Sequence, residues 1–158
     1  MTQENPVTVP SESLWPLPDA PGGEWVAWAT AWRSVAALEL TCLELTERGA
    51  LLRGGPGPFP LNPNGAVNGG ILAAMADQAF GVLAMRASAR FVPATANLQL
   101  EFHRPLHGEV TVRASSLPGG SRLQFLEAAL EDAQGRRCAS ARATMVAVME
   151  RPDTQHDN

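Results

Sequence analysis

Lysine and tyrosine are missing altogether, and all 12 basic residues are arginine. This excludes Lys-based covalent chemistry, Schiff-base cofactors held by lysine, and tyrosine acid–base work. Only three histidines occur, His103, His107 and His156, and no HExxH, CxxC or histidine cluster is present. A zinc site needs such spacing, so no metal is expected. Two cysteines, Cys42 and Cys138, are too few for a disulfide scaffold, and both sit in apolar stretches as small buried side chains. A basic excess is lacking too. The formal charge of −4 argues against a nucleic-acid partner, while leaving room for a small anion held by a few arginines. The longest apolar run, Ile71 to Met85, is broken by Asp77 and Gln78 and is shorter than the ~20 residues of a membrane span. The opening stretch lacks the basic-then-apolar layout of a signal peptide. The expectation is a soluble cytoplasmic protein without a membrane partner.

What is present fits one domain, since 158 residues with 45% hydrophobic side chains can bury a core unaided. Residues 1–23 are a proline-rich lead-in ending in Gly22-Gly23. A single domain is expected over 24–150, followed by a tail at 151–158. In 24–36, Trp25, Trp28 and Trp32 recur at helical spacing and share one face. That face either docks a short helix on the domain or forms a lid over an apolar pocket. From Ala37 the pattern alternates, with Leu38, Leu40, Cys42 and Glu44 on one side. Glu47-Arg48-Gly49 reads as a hairpin turn, and Ala50 to Arg53 as a second strand.

A Gly- and Pro-rich loop, 54–70, precedes a nearly all-apolar helix over 69–88, within a central segment 67–88. A loop of this length tends to be functional. It lacks the ending of a phosphate-binding loop, which excludes that reading. A helix without a polar stripe is buried on most sides. Four strands follow, at Thr95–His103, Glu109–Ser116, Ser121–Asp132 and Arg136–Met149, joined by short turns. On the last, Ala139, Ala141, Ala143 and Ala147 share a face that lets the helix approach closely. The order β-β-α-β-β-β-β with hairpin links predicts an α+β fold: an antiparallel sheet curling round one central helix.

Asp77 interrupts that helix. An unpaired buried carboxylate costs several kcal/mol or shifts its pKa. Asp77 therefore faces water at a helix edge, has a partner, or is chemically active. At the helix start, Asn68 is a good N-cap, and Gly69 and Gly70 leave their amides open to approach. Free amides at a helix N-terminus can hold a developing oxyanion, although a plain helix start has the same sequence. Asp77 lies eight residues after Gly69, roughly 12 Å along the axis. The two cannot act on one carbonyl within one helix. They can if two chains set their helices antiparallel across a twofold axis.

These residues are where a family likeness enters. Asn62-Pro-Asn-Gly-Ala-Val-Asn-Gly-Gly, followed by Ala76-Asp77-Gln78-Ala79-Phe80-Gly81, resembles the hotdog-fold acyl-CoA thioesterases, in particular the phenylacetate-pathway (PaaI-like) branch. The Thr95-x-Asn-Leu-x-Leu-x-Phe-x-Arg-Pro stretch, Gly108-Glu109, and the turns at 119–122 and 132–135 fit the same pattern. The likeness covers roughly 37–149. It implies a hotdog fold, with a curved antiparallel sheet wrapped around one long helix, here with an N-terminal extension carrying a short helix. It implies hydrolysis of an acyl-CoA thioester, with coenzyme A as part of the substrate and no separate cofactor.

By the same likeness, Asp77 is nucleophile or general base, and the Gly69 amide polarises the carbonyl. Asn62 positions the carbonyl or water, and Thr95 orients the water. Asn68 and Gly70 border the substrate. Arg122 is either a contact to the phosphates of coenzyme A or an ordinary turn arginine. The family has histidine where this chain has Asn68. That histidine positions rather than reacts, so its replacement leaves acid and base in place. The site implies a homodimer, or a tetramer of two dimers. Acyl-thioester hydration is disfavoured because no histidine lies on or just before the central helix. A non-catalytic acyl-CoA-binding or sensing protein is the alternative, and a carrier-protein thioesterase is a further one.

Overall fold

Asn68 starts the central helix by accepting the Gly70 N–H on its side-chain oxygen at 2.9 Å. Helix α3 then runs Gly69–Ala87 and closes at Ser88, whose extended backbone (ψ 117°) leaves the helical path. Its apolar positions bury Leu72, Met75, Ala76, Ala79, Phe80, Val82, Leu83, Ala84 and Met85. Each large side chain so removed from water contributes about 1.5–3 kcal/mol. These coordinates are a computed structural model that describes residues 17–19, 23–55, 59, 61–88, 91–120 and 122–150. Most of the lead-in, the tail with His156, and Ser121 lie outside the described residues.

Six strands surround α3: β1 (Leu40–Leu45), β2 (Gly49–Gly54), β3 (Phe91–Phe102), β4 (Val110–Ser116), β5 (Leu123–Glu131) and β6 (Arg137–Glu150). They form one antiparallel sheet in the order β1-β2-β4-β5-β6-β3. Leu98, Leu100 and Phe102 of β3 pair with Ala143, Ala141 and Ala139 of β6, so small residues on β6 stand beside larger ones on β3. The turn before β6 is tied by Asp132, which accepts the amides of Gln134 and Arg136 and the Arg136 side chain. Burial pushes its carboxyl pKa up. The hydrogen bonds and the Arg136 charge outweigh that and hold it below the usual carboxylate value.

Two details differ from the sequence expectation. The helical stretch at 24–36 is two helices, α1 (Gly23–Ala31) and α2 (Arg33–Ala37), broken at Trp32, whose ψ of 124° is extended. Ala37 therefore ends a helix instead of opening β1. The alternation in β1 also slips at a bulge between Cys42 and Glu44, so that Leu45 and not Glu44 turns inward. Glu39 makes the turn into β1 with φ +54° and lays its carbonyl on Gly54, where no Cβ would fit.

The tryptophans dock. Trp25 and Trp28 are buried, and their rings meet edge to face at 5.3 Å. Arg86, in the last turn of α3, places its guanidinium 4.9 Å from the Trp25 ring and pairs with Glu47 at 3.4 Å. This ties α1 to the end of the central helix.

Candidate active site

Asp77 is the single acidic residue on α3, and it is half-buried. Its Oδ1 accepts a hydrogen bond from Thr95 Oγ1 at 2.7 Å. Thr95 can reach it because α3 and β3 run antiparallel. A register shift between Thr95 and Asn97 also adjusts the strand at that point. Of the three readings open to Asp77, the structure gives it a partner and keeps it accessible. Thr95 occupies one carboxylate oxygen and leaves the other open.

Gly69 lies at the opposite end of the pair, against Phe102. A Cβ added at Gly69 would stand 3.0 Å from the Phe102 ring, and that ring is 57% exposed. Being first in the helix, the Gly69 N–H has no intrahelical acceptor. The Gly70 N–H is already taken by Asn68. The open amide is therefore Gly69, while Asn68 serves as cap.

Asn62 has a structural task. Its side-chain oxygen accepts the amides of Asn64 (2.9 Å) and Ala66 (3.1 Å), folding the loop back on itself. The loop then anchors through the Val67 amide, bonded to the Leu106 carbonyl, and through His107 Nδ1 on the Gly65 carbonyl at 3.0 Å. Only the side-chain NH₂ of Asn62 is left to meet a substrate or water. Arg122 is exposed, with its guanidinium 5.8 Å from the centre of the Phe91 ring at the start of β3. It is not drawn to Asp77 or to Gly69.

Within one chain the structure thus unites Asp77 with Thr95, and Gly69 with Asn68 and Phe102, as two separate groups. Thr95 and Phe102 are seven residues apart on β3, about 23 Å along an extended strand.

Three contacts around the two groups were not read from the sequence. Gln78 accepts a hydrogen bond from Ser34 Oγ of α2 at 2.5 Å. Trp32 packs toward Gly81, one helical turn past Asp77. Phe102 covers Gly69. For Trp32 the signal was the i, i+3, i+7 tryptophan spacing; for the other two no local pattern existed, since the contacts are long-range.

Other reactive groups are spoken for. Burial raises the thiol pKa of Cys42 to about 11 and pushes that of Cys138 up, so both are inert at neutral pH. His103 bonds Ser140 Oγ at 2.8 Å. Among the described residues no cluster of His, Cys, Asp and Glu could hold a metal, and no helix is long and apolar enough to cross a membrane.

Comparison with known proteins agrees with this architecture. Residues 64–139 match the family described as the thioesterase superfamily. That span takes in Gly69, Asp77, Thr95 and Arg122, but not Asn62 or the tryptophan helices. Among solved structures, the Escherichia coli PaaI protein of the phenylacetic acid degradation operon is similar at 17% identity. It aligns over 78% of this chain and 90% of its own, with a TM-score of 0.70. A hypothetical thioesterase from Streptococcus pneumoniae, solved with coenzyme A, is 18% identical over 74% of this chain and 92% of its own, at 0.66. A Streptococcus mutans protein bound to acetyl-CoA is 15% identical over 71% and 90%, at 0.65. No curated protein sequence matches the chain. The chain has a hotdog fold, and its residues 64–139 match the thioesterase superfamily.

Proposed function

We propose that the protein hydrolyses an acyl-CoA thioester to a free acid and coenzyme A, with each active site shared between two chains. The observation that carries this reading is Asp77, a lone accessible carboxylate on an apolar helix, oriented by Thr95 at 2.7 Å. Thr95 donates to Oδ1, and Oδ2 is left to take a proton from water. The water oxygen attacks the thioester carbonyl carbon, and the Gly69 amide of the partner subunit receives the developing oxyanion. The tetrahedral intermediate collapses by breaking the C–S bond. The Asp77 carboxyl returns its proton to the departing thiolate, which leaves as the coenzyme A thiol. The Asn62 NH₂ borders the carbonyl, and Arg122 receives a phosphate of the coenzyme. Nothing in this sequence calls for a metal or a separate cofactor.

The free edge of β3 supports the pairing. It is the outer strand of the sheet, 12 residues long, and its Thr95–Asn97 stretch is exposed. Long open edges pair with a second strand unless blocked. An antiparallel β3–β3 pairing centred near Leu98 and Gln99 would set the Thr95 end of one chain against the Phe102 end of the other. That arrangement brings Asp77 to the partner's Gly69. Two such dimers back to back would give the tetramer. The neighbours solved with coenzyme A and acetyl-CoA support the substrate class.

The test is thiol release from a panel of acyl-CoAs by the purified protein. Steady release that Asp77→Asn abolishes is the expected result. Binding of acyl-CoA without release, unchanged in Asp77→Asn, would favour the sensor alternative. Single turnover in ¹⁸O-water separates the two roles of Asp77. Label in the product acid alone marks a general base; label entering the Asp77 carboxylate marks a nucleophile.

A further inference from the structure

Half-buried Asp77 has two elements beside it. One is β3, with Thr95. The other is the break between α1 and α2, which lies outside residues 64–139. Trp32 sits at that break with an extended backbone, so its ring leaves the α1 path and turns toward α3. It is held from behind, its ring 5.3 Å from that of Trp28, which in turn meets Trp25 at 5.3 Å. The first two rings are buried and the third is half-buried, so the ladder leads from the core to the α3 face that carries Gly81. In front of Trp32 is Gly81. A Cβ there would lie 3.7 and 3.8 Å from two carbons of the Trp32 ring. Gly81 follows Asp77 by four residues and therefore shares its helix face. The Ser34–Gln78 hydrogen bond pins α2 beside this contact.

From these positions we infer that Trp32 is the specificity-determining wall of the acyl site. It stands one helical turn beyond Asp77, about 6 Å along α3. An acyl group whose carbonyl sits at Asp77 and which extends along the helix meets the flat face of the indole. Compact apolar acyl groups fit against that face, and long straight chains collide with it. Buried Trp25 and Trp28 keep Trp32 from swinging aside.

This inference rests on the hydrolase reading, and one experiment separates the two. Steady-state kcat/KM is measured for butyryl-, hexanoyl-, decanoyl- and palmitoyl-CoA with the intact chain, Trp32→Ala, Trp32→Phe and Gly81→Ala. The native chain is expected to favour the short esters. Trp32→Ala should raise the decanoyl-to-butyryl ratio by about tenfold or more, as removal of a pocket wall does. Trp32→Phe should restore most of the native preference. Gly81→Ala adds a methyl at ordinary contact distance on the same wall, so it should lower the hexanoyl-to-butyryl ratio. It also favours the helix, so it decides the matter if Trp32→Ala does not fold. An unchanged ratio in a folded Trp32→Ala protein, or in Gly81→Ala alone, overturns the wall while leaving hydrolysis standing. No release from any ester by the native chain overturns both.

Discussion

The two ends of β3 present different groups. At one end Thr95 bonds the Asp77 side chain on the middle of a helix. At the other, Phe102 lies over Gly69, where an unpaired amide and the helix dipole present positive potential. Each end has what the other lacks, yet α3 and β3 hold them apart within one chain. The lesson is that a complete set of groups in one chain need not be a complete site. In the proposed dimer, the strand that separates them within a chain is the strand that joins them between chains.

Substitutions at either end should break activity without breaking the fold, in a definite order. Asp77→Asn removes the base and is expected to lower kcat about 10²–10⁴-fold in thiol-release assays. The circular dichroism spectrum should stay native. Gly69→Val puts a branched side chain where even one Cβ crowds Phe102 at 3.0 Å, and it shields the amide. Its expected loss is about 10²–10³-fold, that of an oxyanion donor. Thr95→Val keeps the shape but frees the Asp77 oxygen to rotate. We expect about a tenfold fall in kcat with KM nearly unchanged, the pattern of a positioning residue. The smallest effect is on stability. Asn68→Ala loses the cap on Gly70, and a denaturant midpoint should report about 1 kcal/mol. If Asn68→Ala instead matched Gly69→Val in lost turnover, its side chain would be working at the carbonyl and not merely as a cap.

The same contrast shows what could be read before the structure. Periodicity placed α3 and all six strands within a few residues, because a nearly all-apolar helix and strict alternation have few other solutions. Asp77 stood out because a carboxylate there needed a reason, and Asn68-Gly69-Gly70 because capping is local chemistry. The β1 bulge and the break at Trp32 were not legible: each is set by tertiary packing that overrides local alternation. Asn62 was singled out for a role at the carbonyl or the attacking water. Its folding task surfaced only in its bonds to Asn64 and Ala66. Phe102 looked like one more inward strand residue. Its exposure follows from β3 being the sheet edge, which no local window reveals.

The central claim is that each site takes Asp77 from one chain and Gly69 from the other. Mixing the Asp77→Asn and Gly69→Val chains tests it most directly, by co-expression with two different affinity tags and isolation of the doubly tagged species. Under the shared-site account, each mixed dimer has one site with both lesions and one site with none. Two nearly inactive parents should then yield a species with about half the native kcat per dimer. If the mixed dimer stays as inactive as its parents, both groups act within one chain, and the shared site is contradicted.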